Sequence, residues 1–148
     1  MDDIDRVIVA RLMKNARTSN RELAREAGIA DSTCSMRIAA LQESGIISGF
    51  HAEIDLARVG RSVQAHASLK IRPQALPDAS AFCDWVAELP EVIAVHMVSG
   101  PSDLVAHVAV SSTDELREFV LQLARRSEIA DIRTSIIYLS KRSRAFSV

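Results

Sequence analysis

Ser19-Asn20-Arg21-Glu22 is a helix start written in four residues. The Ser19 hydroxyl can accept from an amide of the first turn while Glu22 reaches back to the amide of Ser19. Leu23, Ala24 and Ala27 then fall on one side, and Gly28 stops the helix. Asp31-Ser32 offers the next N-cap, Met36, Ile38 and Leu41 follow, and Ser44-Gly45 ends the second helix. Two helices this short, so closely joined, must cross steeply and share one small core. Residues 17–49 are thereby constrained to the layout of a helix-turn-helix. In such a reader of duplex DNA the second helix enters the major groove, which displays the distinguishing base edges.

The groove-reading segment is Ser32 to Gln42. Ser32, Thr33 and Ser35 carry hydroxyls suited to phosphates or base edges; Met36 and Arg37 follow, and free amides at a helix N-terminus suit a phosphate. Arg17, Arg21 and Arg25 are candidates to clamp the DNA backbone. The net formal charge of -1 does not favour DNA binding over the whole chain. Its distribution does: six bases face three acids from Arg11 to Arg37, a surplus of +3, whereas ten acids face six bases from Ser62 to Ser140, a balance of -4. A basic head on an acidic body fits a protein that presents one end to phosphates.

Ahead of this pair, Ile4, Val7, Ile8 and Leu12 predict a first helix over Asp2 to Lys14, with Asp2, Asp3 and Asp5 favoured in its first turn by the helix dipole. Behind it, Ile46 to Ile54 reads as a wing strand. The pattern then changes from a period near 3.6 to a period of 2, which places a DNA-binding domain at 1–54, a linker at 55–61, a second domain at 62–140 and a basic tail at 141–148.

In the second domain Val63, Ala65, Ala67, Leu69 and Ile71 alternate with polar residues, a strand with one apolar face. A helix over Ala79 to Leu89, strands over Val92 to Ser99 and Leu104 to Val110, a helix over Thr113 to Arg126 and a strand over Ile129 to Leu139 complete the order βαββαβ. The whole is α+β: a winged helix-turn-helix followed by a ferredoxin-like domain, with two helices on one face of a four-stranded sheet. The other face, partly apolar, invites a partner. A tight turn at Gly100-Pro101-Ser102-Asp103 sets Ser99 opposite Leu104, Met97 opposite Ala106 and His96 opposite His107, the two histidines facing away from the helices near His66. Such a pair at a subunit interface would respond to mildly acidic pH.

Cys34 and Cys83 lack metal or redox spacing and read as buried thiols of a reducing compartment. With no apolar run of membrane length and an acidic N-terminus unlike a signal peptide, a cytoplasmic location and no membrane partner are expected. No Gly-rich phosphate loop, metal-spaced set or nucleophile signature points to an enzyme, and no metal or cofactor is expected.

Across almost the whole chain these residues resemble the leucine-responsive regulatory protein and asparagine-regulator (Lrp/AsnC) family of transcription factors. The resemblance rests on Ile4-Asp5, Ile8 and Leu12, Arg17-Thr18-Ser19, Glu22-Leu23-Ala24, Gly28-Ile29, Cys34, Arg37-Ile38 and Leu41. It continues through Glu43-Ser44-Gly45-Ile46-Ile47, Gly60, Leu89-Pro90-Glu91-Val92 and the Gly100–Asp103 turn. It implies a sequence-specific DNA-binding regulator whose second domain binds a small effector, typically an amino acid, and assembles homodimers into tetramers, octamers or larger rings. Effector residues carry over onto Gly100 and Asp103, beside Ser99 and Ser102, with Thr134 and Ser135 on the last strand. The turn chemistry agrees: glycine opens backbone geometry closed to other residues, loop amides can hold a carboxylate, and Asp103 can pair with an ammonium. Where the family usually has Pro-Thr-Pro after its cap and a basic residue on the reading helix, this chain has Asp31-Ser32-Thr33 and Met36. A different DNA preference follows. The alternative is a sensor or assembly module of the same fold with weak or no specific DNA reading.

Overall fold

A computed structural model describes residues 1–141, and the chain divides into two compact units, one over Met1–Glu53 and one over Ile54–Ser140. The first holds α1 (Asp3–Lys14), α2 (Asn20–Ala27) and α3 (Asp31–Glu43). Both opening helices start on reciprocal caps, Asp2 with Asp5 for α1 and Ser19 with Glu22 for α2. Gly28 ends α2 at φ +68°, a left-handed conformation that lets its amide return to the carbonyls of Ala24 and Arg25.

The three helices bury Ile8, Val9, Leu23, Ala24, Cys34 and Leu41, ringed by Ile4, Leu12, Ala27, Ile29, Ile38 and Ile47. The buried stripe of α1 is therefore turned toward Val9, and Val7, expected inside, is 39% exposed at its edge. Two further expectations fail here. The Ile29 amide closes the turn onto the Ala24 carbonyl, so the chain enters α3 early: Ala30 occupies the cap position without a side-chain bond, and Asp31 is already helical. Among the described residues the wing strand expected at 46–54 does not form, since none of 46–54 joins a ladder; Ile47 is instead tied by its amide to the Leu41 carbonyl.

The second unit holds β1 (Val63–Ile71), a 3₁₀ turn at Pro73–Asp78, α4 (Ala79–Ala87), β2 (Val92–Met97), β3 (Leu104–Val110), α5 (Thr113–Ala124) and β4 (Ile129–Ile136). The sheet is antiparallel in the order β2-β3-β1-β4, the expected ferredoxin-like topology. Alternation sends Ala65, Ala67, Leu69 and Ile71 of β1, with Leu104, Ala106, Val108 and Val110 of β3, toward Phe82 and Val86 of α4 and Leu116, Phe119 and Leu123 of α5. Alanines at three of these sheet positions leave room for the two phenylalanines. Residues 55–61, expected as a linker, carry turn bonds of their own within this unit, and Arg61 donates to the Ala109 carbonyl at 2.8 Å. Of the basic tail expected at 141–148, residues 142–148 lie outside the described residues.

The β2–β3 register differs from expectation by two residues. Met97 pairs with Leu104, His96 with Val105 and Ala94 with His107, with an irregularity between Val92 and Ala94. The reason is the connection, which is not a four-residue turn: the Val98 amide bonds to the Asp103 carbonyl at 2.9 Å, so the loop spans residues 98–103. The histidine facing His107 is consequently His66 of β1, with ring centroids 5.4 Å apart, edge to face.

Candidate nucleic-acid interface and effector loop

Helical periodicity divides the side chains of α3 cleanly. Cys34 and Leu41 are buried, Thr33, Arg37 and Ile38 are half-buried, and Ser32, Ser35, Met36, Ala39 and Gln42 form a continuous exposed stripe. Met36, 67% exposed, stands at its centre. No side chain caps this helix, so its first amides are left for water or an anionic partner. The start of α3 is fixed against α2 by Asn20, whose side-chain amide donates to the Asp31 carbonyl at 2.8 Å. Arg17, Arg21 and Arg25 are exposed and make no ion pair among the described residues.

Arg37 is a different case from the rest of the expected DNA-contacting set. Its Nη1 lies 2.7 Å from Asp2 Oδ2 and 2.8 Å from Asp5 Oδ1, and its side chain is only 28% exposed. Its hydrogen bonds to these two carboxylates raise its already high pKa. The carboxyl of Asp2 is held below its ordinary value by the Asp5 amide first and the Arg37 guanidinium second. Arg37 thus ties α3 to the capped start of α1 through its Nη1. Asp2, Asp5 and Asn20 were missing from the expected site; they bond to α3 and fix its position in the unit, and local sequence carries no signal for such pairings.

In the second unit the loop after β2 carries Ser99, Gly100, Ser102 and Asp103. Gly100 sits at φ +113°, a conformation that disfavours any side chain although the space around it is open. The amides of Ser99, Gly100 and Ser102 make no hydrogen bond among the described residues, whereas that of Asp103 donates to the Leu69 carbonyl. The Asp103 carboxylate is engaged on both oxygens: Lys70 Nζ donates to Oδ1 at 2.9 Å and the Ile71 amide to Oδ2 at 2.7 Å. These bonds, Lys70 first, hold its pKa below the ordinary carboxylate value. Thr134 and Ser135 do not join this loop within one chain. They pair with Ala67 and His66, four residues back along β1 from Ile71 in the case of Thr134, roughly 13 Å away at strand spacing.

Comparison with known proteins gives the family of both units. Residues 64–145 match the Lrp/AsnC ligand binding domain and residues 1–48 a winged helix-turn-helix DNA-binding domain. The chain belongs to the Lrp/AsnC family. It is 40% identical over 139 residues to the HTH-type transcriptional regulator AldR of Mycolicibacterium smegmatis, covering 93% of this chain and 81% of that one. It is 29% identical to the leucine-responsive regulatory protein of Rhizobium meliloti over 92% of this chain and 88% of that one. The crystal structure of MtbAldR superposes with a TM-score of 0.82 at 30% identity, over 96% of this chain and 97% of that one. Like these Lrp/AsnC relatives, the protein is a DNA-binding transcription regulator and not an enzyme. No helix among the described residues is long and apolar enough to cross a membrane, and no described group of three or more His, Cys, Asp or Glu is placed to hold a metal.

Proposed function

We propose that this regulator reads a two-fold DNA site with the exposed stripe of α3 and that an amino acid held by the Ser99–Asp103 loop modulates its assembly or DNA affinity. The observation that carries the DNA half is the continuous outward stripe Ser32, Ser35, Met36 and Ala39, free of competing ion pairs. Ser35 and Met36 meet base edges, Ser32 and the open amides of the first turn near Thr33 take a phosphate, and Arg17, Arg21 and Arg25 neutralise the flanking backbone. Arg37 sets the angle at which that stripe is offered.

The effector half is supported by chemistry. A zwitterion needs donors for its carboxylate and an anion for its ammonium; the unengaged amides of Ser99, Gly100 and Ser102 lie next to the ionised Asp103. The responsiveness to leucine named in the Rhizobium meliloti relative points to the same ligand class. Thr134 and Ser135 enter the site only if a second copy of the chain brings them to the loop. The face of the sheet that the helices leave uncovered, with Gln64, His66, Val105 and His107, is where copies pair in this reading. A symmetric dimer then sets two reading helices about 34 Å apart, matching successive major grooves.

Footprinting on genomic fragments, with and without pooled amino acids, tests both halves. A protected region with two-fold sequence symmetry, altered by one class of amino acid, is the expected outcome. Equal weak protection of unrelated duplexes would remove the sequence-reading claim, and indifference to every amino acid would remove the effector claim.

A further inference from the structure

The ammonium position of the effector loop already has an occupant. Lys70, on β1, donates to Asp103 Oδ1 across 2.9 Å, while the other carboxylate oxygen is anchored by the Ile71 amide. The two cationic and backbone donors differ in how easily they leave. Lys70 keeps 44% of its side chain in contact with water, whereas Asp103 is 21% exposed and its other oxygen is held by the backbone amide of Ile71, the last residue of β1. Lys70 can therefore swing into solvent with Asp103 still in place. Beside this occupied cation position, the amides of Ser99, Gly100 and Ser102 are unengaged. As it stands, the loop has three amides without a partner among the described residues and an aspartate already paired with a cation.

We propose that Lys70 is a specificity-determining residue of this site, competing with the ammonium of an amino acid for Asp103 and standing in for that ammonium when the ligand is a carboxylate without one, such as a 2-oxo acid. The inference rests on the effector reading above. Two ammonium groups on one carboxylate sit a few ångström apart, and near a protein surface that repulsion is worth about tenfold in affinity. An amino acid must displace Lys70 or bear the repulsion. A 2-oxo acid instead finds the neutral Lys70–Asp103 pair intact, with the Lys70 charge adding to the amides that hold its carboxylate.

The test is calorimetric titration of the full chain and its K70M, K70Q and K70R variants. The probes are L-leucine, L-alanine, L-methionine and L-phenylalanine, each paired with the 2-oxo acid of the same side chain. Thermal melts of each variant check that Asp103, still held by Ile71, keeps the loop folded. K70M and K70Q are expected to bind their best amino acid about tenfold more tightly than wild type and to bind the matching 2-oxo acid no better or more weakly, while K70R stays near wild type. Amino acid and 2-oxo acid affinities that move together, or do not move, would overturn the role given to Lys70 and leave the effector site standing. Absence of binding by every probe to wild type and all variants would overturn the effector reading itself, and this inference with it.

Discussion

Arg37 in the first unit and Lys70 in the second are both cations held by aspartate, and they are held in different ways. Arg37 meets two carboxylates, those of Asp2 and Asp5, which are themselves fixed by closing the reciprocal cap of α1. Lys70 meets one oxygen of Asp103, whose other oxygen is bound by the backbone whether Lys70 is present or not. The units around them differ as well. Among the described residues the three-helix unit buries six apolar side chains in its cluster, while the sheet unit buries fifteen. A small core leaves more of the geometry to caps and ion pairs, so Arg37 is structural where Lys70 is free to be exchanged. The side chain's charge does not separate the two roles; the number of independently fixed partners does.

The largest effect that would sharpen this contrast is in the larger core. Phe119→Ala removes a side chain only 2% exposed between α5 and the sheet, and chemical denaturation should register a loss of about 3–5 kcal/mol. A loss below about 1 kcal/mol would mean that the sheet unit does not depend on its apolar core as described.

In the small unit, Gly28→Ala forces a side chain into φ +68° at the end of α2 and should cost about 1 kcal/mol by the same measurement. Arg37→Met should lower the melting temperature, whereas Lys70→Met should leave it nearly unchanged. Equal behaviour of the two variants would break the distinction drawn above.

DNA titrations across salt concentration separate Arg37 from the outward bases. Arg21→Met should reduce the slope of log affinity against log salt by about 1, the loss of one phosphate contact, and Arg37→Met should leave the slope unchanged. A reduced slope in the Arg37 variant would place its guanidinium on DNA.

The smallest expected effect is a pH dependence in the sheet unit. Burial first, then the charges of His66 and His96, push the His107 pKa below its ordinary value. The folded state thus binds fewer protons than the unfolded chain near that value, and stability is present above the unfolded pKa near 6.5 and lost as pH falls toward the folded pKa. Melting temperature should decline between pH 7.5 and 5.5, and His107→Gln should flatten the decline. Gln64, whose Oε1 lies 3.0 Å from His107 Nε2, supplies no charge to offset this.

Much of the fold was legible because local rules and burial agree. Ser19-Glu22, Gly28 and the alternation from Val63 to Ile71 each name their own structure, and the capped helix, the left-handed stop and the one-faced strand all form. The failures fall where a partner distant in the chain decides. Arg37 reads as a surface base until carboxylates 32 and 35 positions earlier in the chain take it, and Lys70 lies 33 positions from Asp103. The hairpin register depended on the length of a loop whose closing bond, from Val98 to the Asp103 carbonyl, no residue type announces. The wing read as a strand from its apolar residues alone, yet a strand is a property of a pair.

The central claim is that the outward stripe of α3 reads bases while Arg37 only holds that helix in place. Duplexes selected from a random pool by the wild-type protein, and scrambled duplexes of the same composition, should be titrated with a Ser35→Ala, Met36→Ala double variant by fluorescence anisotropy. Discrimination between the two duplex sets should fall at least tenfold while affinity for the scrambled duplexes is unchanged. Discrimination equal to that of wild type would contradict the claim.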